Sequence, residues 1–576
     1  MWEKYKEAPP RDTVDHIRCA LSSVGVQMEA IYMEPVENVV SVRLIDREHG
    51  FETYGKGTSR EWALASAYGE AAERFQNRLL YEIPEPEPND GFSFREWPDE
   101  EPVSIREALQ APHIMEDFSS HYCDKDHPVE EFLLNFFKTD SLSLVPYRGM
   151  KQNCTYMLPD RIISLLCGSN GLAAGNTYDE ATCQGLCEIG ERYSKFLMFR
   201  ENIAPVTVPE EYIEKEAPEL CQVMKDIEKG TGCRLILRDA RPVTGFPVLQ
   251  VLLVDSVHQK YYTRFGCHPV FMIALERSIT ELLQGQNDLS RISSMISWPQ
   301  ERNIQSFRNL SDSLKADLAD LSDEFLAGAT DREFVPWPKK EFSNRDGVKE
   351  LIDCFLRIAP EVFIRKTGFL GIPSVRIYIP GISALPLQFS HRVHDYNYAK
   401  SILHDPNLVL KKLDTETLHL LLSAFTSDDS LVGNRIDWRS ADIGYNEMKG
   451  LLLYMLGCDV EAMAAFEKTE SLPGKCMYHY LRMTLDGKDR KVIKSVLELF
   501  FGKTTADFTV IVCSDRSNAL AAWLDPTGMY RKFLGIISEK DSTSSLSELE
   551  KKVKERMLKV YDGRSPDQRN GVFEQL

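Results

Sequence analysis

No stretch of this chain stays apolar for long. The most hydrophobic run, "GLLLYMLGC" (450–458), falls far short of the roughly 20 residues that span a bilayer. The opening "MWEKYKEAPPRD" has no apolar leader core. Both absences predict a soluble, cytoplasmic protein. Patterned cysteine is missing too: thirteen cysteines are scattered with no CxxC, and Cys183–Cys187 has no His-x-x-x-His nearby. That argues against structural zinc and for reduced thiols rather than a disulfide framework. Positive charge is in deficit, 68 Lys and Arg against 87 Asp and Glu. The net −19 excludes an open electrostatic footprint for nucleic acid and favours basic protein partners. No G-x-x-x-x-G-K-[ST] loop and no Ser-His-Asp or Cys-His constellation occurs, so no protein nucleophile is assigned.

What is present fills a folded chain of several domains: 576 residues, 43% of them hydrophobic. Up to about residue 390, β-branched runs such as 39–46, 234–240, 247–255 and 374–381 read as strands, and 59–80, 177–200 and 269–286 as helices. The fold class is therefore α+β. A Pro-rich acidic segment (81–102) predicts a surface excursion within 81–160. From 391 to 576 the pattern is helix after helix (409–425, 439–455, 459–470, 476–484, 488–501, 544–560), an all-α domain. Residues 443–468 have the spacing of one tetratricopeptide-like (TPR-like) pair, with Ala464 and Ala465 where helices would pack.

Two segments carry the chemistry. "GKGTSREWALASAYGEAAERF" (55–75) and "SNGLAAGNTYDEATCQGLCEIGERY" (169–193) superimpose at an offset of 118 positions. Gly57 falls on Gly175, Glu70 on Glu188, Glu73 on Glu191 and Arg74 on Arg192. Each copy is a glycine turn, a helix, then E-x-x-E-R. On a helix Glu70 and Glu73 lie about 60° apart, and Glu180, Glu188 and Glu191 share a sector of about 80° that also holds Gln184. Four acids on neighbouring helices repel unless neutralised, and hard divalent cations are the usual answer. The glycine turns offer backbone N–H groups to an anion, while Thr58 or Ser59, and Asn176 or Thr177, serve equally as ordinary N-caps. A solvated helix face with intrahelical pairing explains one copy as well, two copies in register less so. In "FGCHPVFMIALERSITELLQGQ" (265–286), Arg277 suits a phosphate clamp or a surface pair with Glu281, and His268 a satisfied turn residue.

These three segments, in this order, resemble the YcaO family of ATP-dependent enzymes along essentially the whole chain. The resemblance implies a YcaO-type core at 1–390 with ATP in a cleft and its phosphates bridged by Mg2+ to glutamates, followed by the TPR-like domain at 391–576. It implies metal ligands at Glu70, Glu73, Glu188, Glu191 and Glu281. Nucleotide contacts follow at Lys6, Thr13, Arg74, Asn176, Glu180, Arg192 and Arg277. The implied chemistry is phosphorylation of a peptide-amide oxygen after a nucleophile attacks the carbonyl. Azoline-forming members end in PxPxP, whereas this sequence ends "RNGVFEQL". The expectation is thus the stand-alone enteric-type role: an ATP-using accessory factor for β-methylthiolation of small-subunit ribosomal protein S12 beside a RimO-type radical enzyme, as a homodimer. Cyclodehydratase- or thioamidation-like amide modification and a non-catalytic scaffold are the alternatives.

Overall fold

The computed structural model describes residues 5–49, 51–79, 94, 96–122, 125–137, 139–289, 295–298, 309–310, 313–314, 320–328, 332–339, 342–384, 413–424, 435–438, 441–469, 471–524 and 541–563. Contacts divide the chain into two compact units. One comprises Met1–His121, Asp140–Leu387 and Ser545–Leu576, the other Tyr122–Thr139 and Gln388–Ser544.

The first unit mixes three sheets with helices. Strands β1 (Glu29–Val36), β2 (Val39–Asp46) and β3 (Phe51–Gly57) form an antiparallel meander. Its inner face follows the period of two, since Phe51, Thr53, Gly55 and Gly57 are buried while the residues between them are half-buried. Four strands follow, β4 (Glu101–Ser104), β5 (Ser141–Gly149), β6 (Cys154–Pro159) and β7 (Leu172–Ala174). Next come β8 (Val206–Thr207), β9 (Arg234–Asp239), β10 (Val248–Asp255), β11 (Lys260–Cys267) and β12 (Ile296–Ser297), a sheet in order β12-β11-β10-β9-β8. Finally β13 (Phe363–Lys366) and β14 (Ser374–Tyr378) complete a sheet of order β4-β5-β13-β14-β7, with β6 paired to β5.

The helices that bear on the site are α1 (Pro10–Ser22), α2 (Arg60–Gln76), α3 (Tyr178–Glu201), α4 (Phe271–Leu282) and α5 (Asn344–Leu356). The repeat seen in the sequence is a repeat in space. Ser59 and Thr177, 118 positions apart, are both N-caps in extended conformation, accepting from Trp62 N and Glu180 N. A Cβ on Gly57 or on Gly175 would stand 2.8 Å from the backbone nitrogen of Ala63 or of Ala181.

A third copy exists that the sequence comparison missed. Gly55 and Gly266, Ala67 and Ser278, and Glu70 and Glu281 are each 211 positions apart. A Cβ on Gly55 would lie 2.2 Å from Ala63 O and 2.3 Å from Ala67 N, and one on Gly266 would lie 2.5 Å from Ala274 O and 2.6 Å from Ser278 N. In the middle copy the small residue has changed sides: Ala173 on β7 is fully buried against Gly185 on α3. Each helix thus rests so closely on its own strand that one partner must lack a side chain. The units also interlock, because α2 packs on β7, α3 on β11 and α4 on β3. Three strand–turn–helix units close a ring.

The second unit is helical around Leu421, Leu451, Leu452, Phe466, Met477 and Leu520. A hairpin of Arg435–Trp438 and Ala441–Gly444 occupies part of the expected helix 439–455, which begins only at Tyr445. In the pair Tyr445–Met455 and Asp459–Glu467, the close approach is Gly450 against the Phe466 ring; Ala465 is buried but Ala464 is exposed. The helix Arg490–Val512 breaks its φ/ψ run at Gly502, one residue past the expected end. The excursion at 81–93 and the tail from 564 lie outside the described residues.

Candidate functional site

Helix α3 carries a polar stripe, and each residue along it meets a different element. At its first turn Glu180 is buried, and Lys6 Nζ lies 3.0 Å from its Oε1. The backbone of Glu7 (3.2 Å) and the side chain of Asn176 (3.0 Å) donate to its Oε2. Burial would raise this carboxyl, but Lys6, Asn176 and the Glu7 amide together hold it below the usual range. Thr13, from α1, donates to Asn176 Oδ1 at 2.9 Å. Lys6, Thr13, Asn176 and Glu180 are therefore one network, tying the N-terminal segment to the start of α3. Asn344 of α5 adds hydrogen bonds to Tyr5 O (2.8 Å) and Glu7 Oε1 (2.9 Å).

Two turns further along α3 the acids gather. On α2, Arg74 lies 3.6 Å from Glu70 and 3.3 Å from Glu73. Burial would lower the Arg74 guanidinium, but Glu73, Glu70 and Glu188 of α3 outweigh it and push it up. Burial pushes Glu73 well above the carboxylate range against the pull of Arg74, and Glu188 and Glu70 push the same way. Burial raises Glu70 as well, opposed by Arg74 and Lys56. Glu188 itself accepts from Arg192 Nε at 3.1 Å, and Arg192 also reaches Leu314 O at 3.2 Å. Glu191 is 3.8 Å from the buried Lys195. With side chains 14–32% exposed across Glu70, Glu73, Glu188 and Glu191, these acids are neither solvated nor sealed off. A simple surface stripe does not describe them.

The third unit completes the arrangement. Glu281, in register with Glu70 and Glu188, is paired with Lys56 of β3. Lys56 also donates to Gln284 at 3.0 Å, the residue standing where the other units have Glu73 and Glu191. Arg277 does not pair with Glu281; it donates to Gln184 of α3 and, at 2.9 Å, to Cys267 O. His268 accepts from Val270 N at 3.1 Å and packs on Tyr5 and Phe342, as a satisfied turn residue. Cys183, Cys187 and Cys267 are buried free thiols in the packing of α3.

Glu180 and Glu191 stand about 16 Å apart along the α3 axis, so one ion cannot be shared by the whole stripe. Among the described residues no three His, Cys, Asp or Glu side chains are drawn together closely enough to hold an ion alone. Arginine and lysine provide the countercharge instead: Arg74 among Glu70, Glu73 and Glu188, and Lys56 at Glu281. The donor set is all carboxylate oxygen, which fits a hard divalent cation that brings oxygen ligands of its own. Lys6 and Arg277, which meet the stripe at Glu180 and Gln184, together with Lys56 at Glu281, fit an extended polyanion. Sequence reasoning missed Lys56, visible only as the middle of "GKG".

Fold and site define an α+β protein with a half-buried acidic centre flanked by cations. The family model described as YcaO cyclodehydratase, ATP- and Mg2+-binding, matches residues 54–383, more than half of the chain, and the chain belongs to the YcaO family. An uncharacterized protein of Haemophilus influenzae is 27% identical over 489 residues, 78% of this chain and 80% of that protein. The ribosomal protein S12 methylthiotransferase accessory factor YcaO of Escherichia coli is 29% identical over 395 residues, 66% of this chain and 65% of that protein. The chain thus spans just under two thirds of the E. coli protein. Among solved structures, YcaO from Methanopyrus kandleri bound with AMPPCP and Mg2+ aligns with a TM-score of 0.42 and 22% identity, over 66% of this chain and 93% of that one. No helix among the described residues is long and apolar enough to cross a membrane.

Proposed function

We propose that this protein binds ATP with Mg2+ and acts as an accessory factor in β-methylthiolation of a small-subunit ribosomal protein, beside a RimO-type radical enzyme. The observation that carries the nucleotide part is the convergence of Glu70, Glu73 and Glu188 on Arg74, in a family described as ATP- and Mg2+-binding. Glu70, Glu73, Glu188, Glu191 and Glu281 would hold the metal. Lys6, Thr13, Asn176, Glu180, Arg192 and Arg277 would line the nucleotide, and Arg74 would balance the acids. Bound Mg2+ supplies charge neutralisation for phosphoryl transfer. The protein's own cations fix the phosphates and stabilise charge as it develops. The accessory role is supported by likeness to the E. coli factor and by the net charge of −19, which suits a basic partner. The family description as a cyclodehydratase favours a second reading, ATP-dependent activation of a backbone amide in another peptide.

Nucleotide binding followed by calorimetry, with Mg2+ and with chelator, tests the first part. Glu191→Ala should abolish Mg2+-dependent ATP binding while the thermal transition is retained. A variant that binds as tightly as wild type, or that loses binding only together with its thermal transition, takes Glu191 out of the site. For the second part, cells lacking this protein should show less methylthiolated aspartate, restored by the wild type and not by Glu191→Ala. Unchanged modification overturns the accessory role.

A further inference from the structure

One acid next to Arg277 leaves a buried oxygen without a donor among the described residues. Glu276 on α4 is 8% exposed, and its Oε2 has no hydrogen-bond donor among the described residues. Its surroundings are charged. Arg277 of its own helix and Lys6 of the N-terminal segment favour its charged form, while Glu276 itself and Glu180 of α3 both bear on Tyr5. Lys6 is engaged by Glu180 at 3.0 Å, and Arg277 by Cys267 O at 2.9 Å and by Gln184. Neither cation hydrogen-bonds to Glu276. A buried carboxylate without donors is costly, whereas a carboxylic acid is tolerated there and carries an O–H of its own.

We infer that Glu276 serves the nucleotide site as a neutral acid, donating its proton to an anionic oxygen of the bound ligand. The assignment rests on the ATP-binding reading above. Burial, opposed by Arg277 and Lys6, already lifts Glu276 to about 7 in the free protein. An arriving polyphosphate adds negative charge beside Lys6 and Arg277, which raises it further. Glu276 is then ionised in part of the free protein above neutrality and protonated in the complex. Binding therefore takes up a proton, and no bond other than the O–H bond is made or broken. The geometry differs from that of Glu70 and Glu73, which lie 3.6 Å and 3.3 Å from Arg74.

The test is calorimetric titration of the full chain with a non-hydrolysable ATP analogue and Mg2+ at pH 8, in two buffers of different ionisation enthalpy. The wild type should take up close to one proton more per nucleotide than Glu276→Gln, whose amide imitates the neutral acid. Between pH 7.5 and 8.5 wild-type affinity should weaken by up to about tenfold relative to Glu276→Gln. Glu276→Ala, which keeps neither donor nor charge, should bind about tenfold or more weakly than Glu276→Gln at every pH and guards against misfolding of one variant. Equal proton uptake in wild type and Glu276→Gln overturns the inference, as does loss of binding in Glu276→Gln where the wild type binds. If the wild type binds no nucleotide at any pH, the ATP-binding reading itself falls.

Discussion

At the scale of single residues, the site is made of groups that are uncomfortable without a ligand. Glu70, Glu73 and Glu276 are all raised by burial. A carboxyl that holds its proton more tightly when folded than unfolded stabilises the fold at low pH and ceases to do so as pH rises through its folded value. For Glu276 the window runs from the ordinary 4.5 to about 7. In nucleotide-free protein, Glu276→Gln should therefore be more stable than wild type at pH 8 by about 3 kcal/mol. The advantage should shrink to nothing below about pH 4.5, which denaturant melts at several pH values will read. A constant difference across that range would mean the substitution acts through packing. The gain in stability is what strained functional groups normally suppress.

At the scale of elements, the governing fact is how closely each helix of the ring lies on its strand. Gly55→Ala drives a methyl group to 2.2 Å from Ala63 O and 2.3 Å from Ala67 N, both of them backbone, and should cost about 3 kcal/mol or more. Gly69, in the same helix, has nothing within 4 Å of its missing Cβ, and Gly69→Ala should stabilise by about 0.5–1 kcal/mol. Urea midpoints of the two variants moving in the same direction would contradict this geometry. These contrasts also explain what could be read from the sequence. The starts of α2 and α3 and the strand Val39–Asp46 fall where caps and alternation put them. The third unit was not legible, because its turn is Cys-His-Pro without a side-chain cap and its acidic end reads E-x-x-Q without arginine. Backbone proximity, rather than residue identity, is what the third unit keeps. The pairing of Lys56 with Glu281 was hidden for a related reason: it joins β3 to α4, two elements more than 200 positions apart.

At the scale of the whole molecule, ligand binding should appear as stability. A ligand at one hundred times its Kd that binds only folded protein adds about 2.7 kcal/mol. Mg2+ with an ATP analogue should raise the unfolding midpoint accordingly, and chelator should remove most of the rise. A midpoint indifferent to Mg2+ would disconnect the acidic centre from the nucleotide. The net charge of −19 bears on a different measurement. Association with a basic protein partner should weaken steeply with added salt, mainly through slower capture.

The ring of three units has one member unlike the others. Two of its helices carry paired glutamates followed by arginine; the third has Glu281, with Gln284 just beyond its end, held by a lysine from a neighbouring strand. Three identical members would give a long, charged guest several equivalent ways to lie. On the nucleotide-binding proposal, breaking the likeness on one side would leave a single favoured heading, and the member that departs from the repeat would tell one end of the guest from the other.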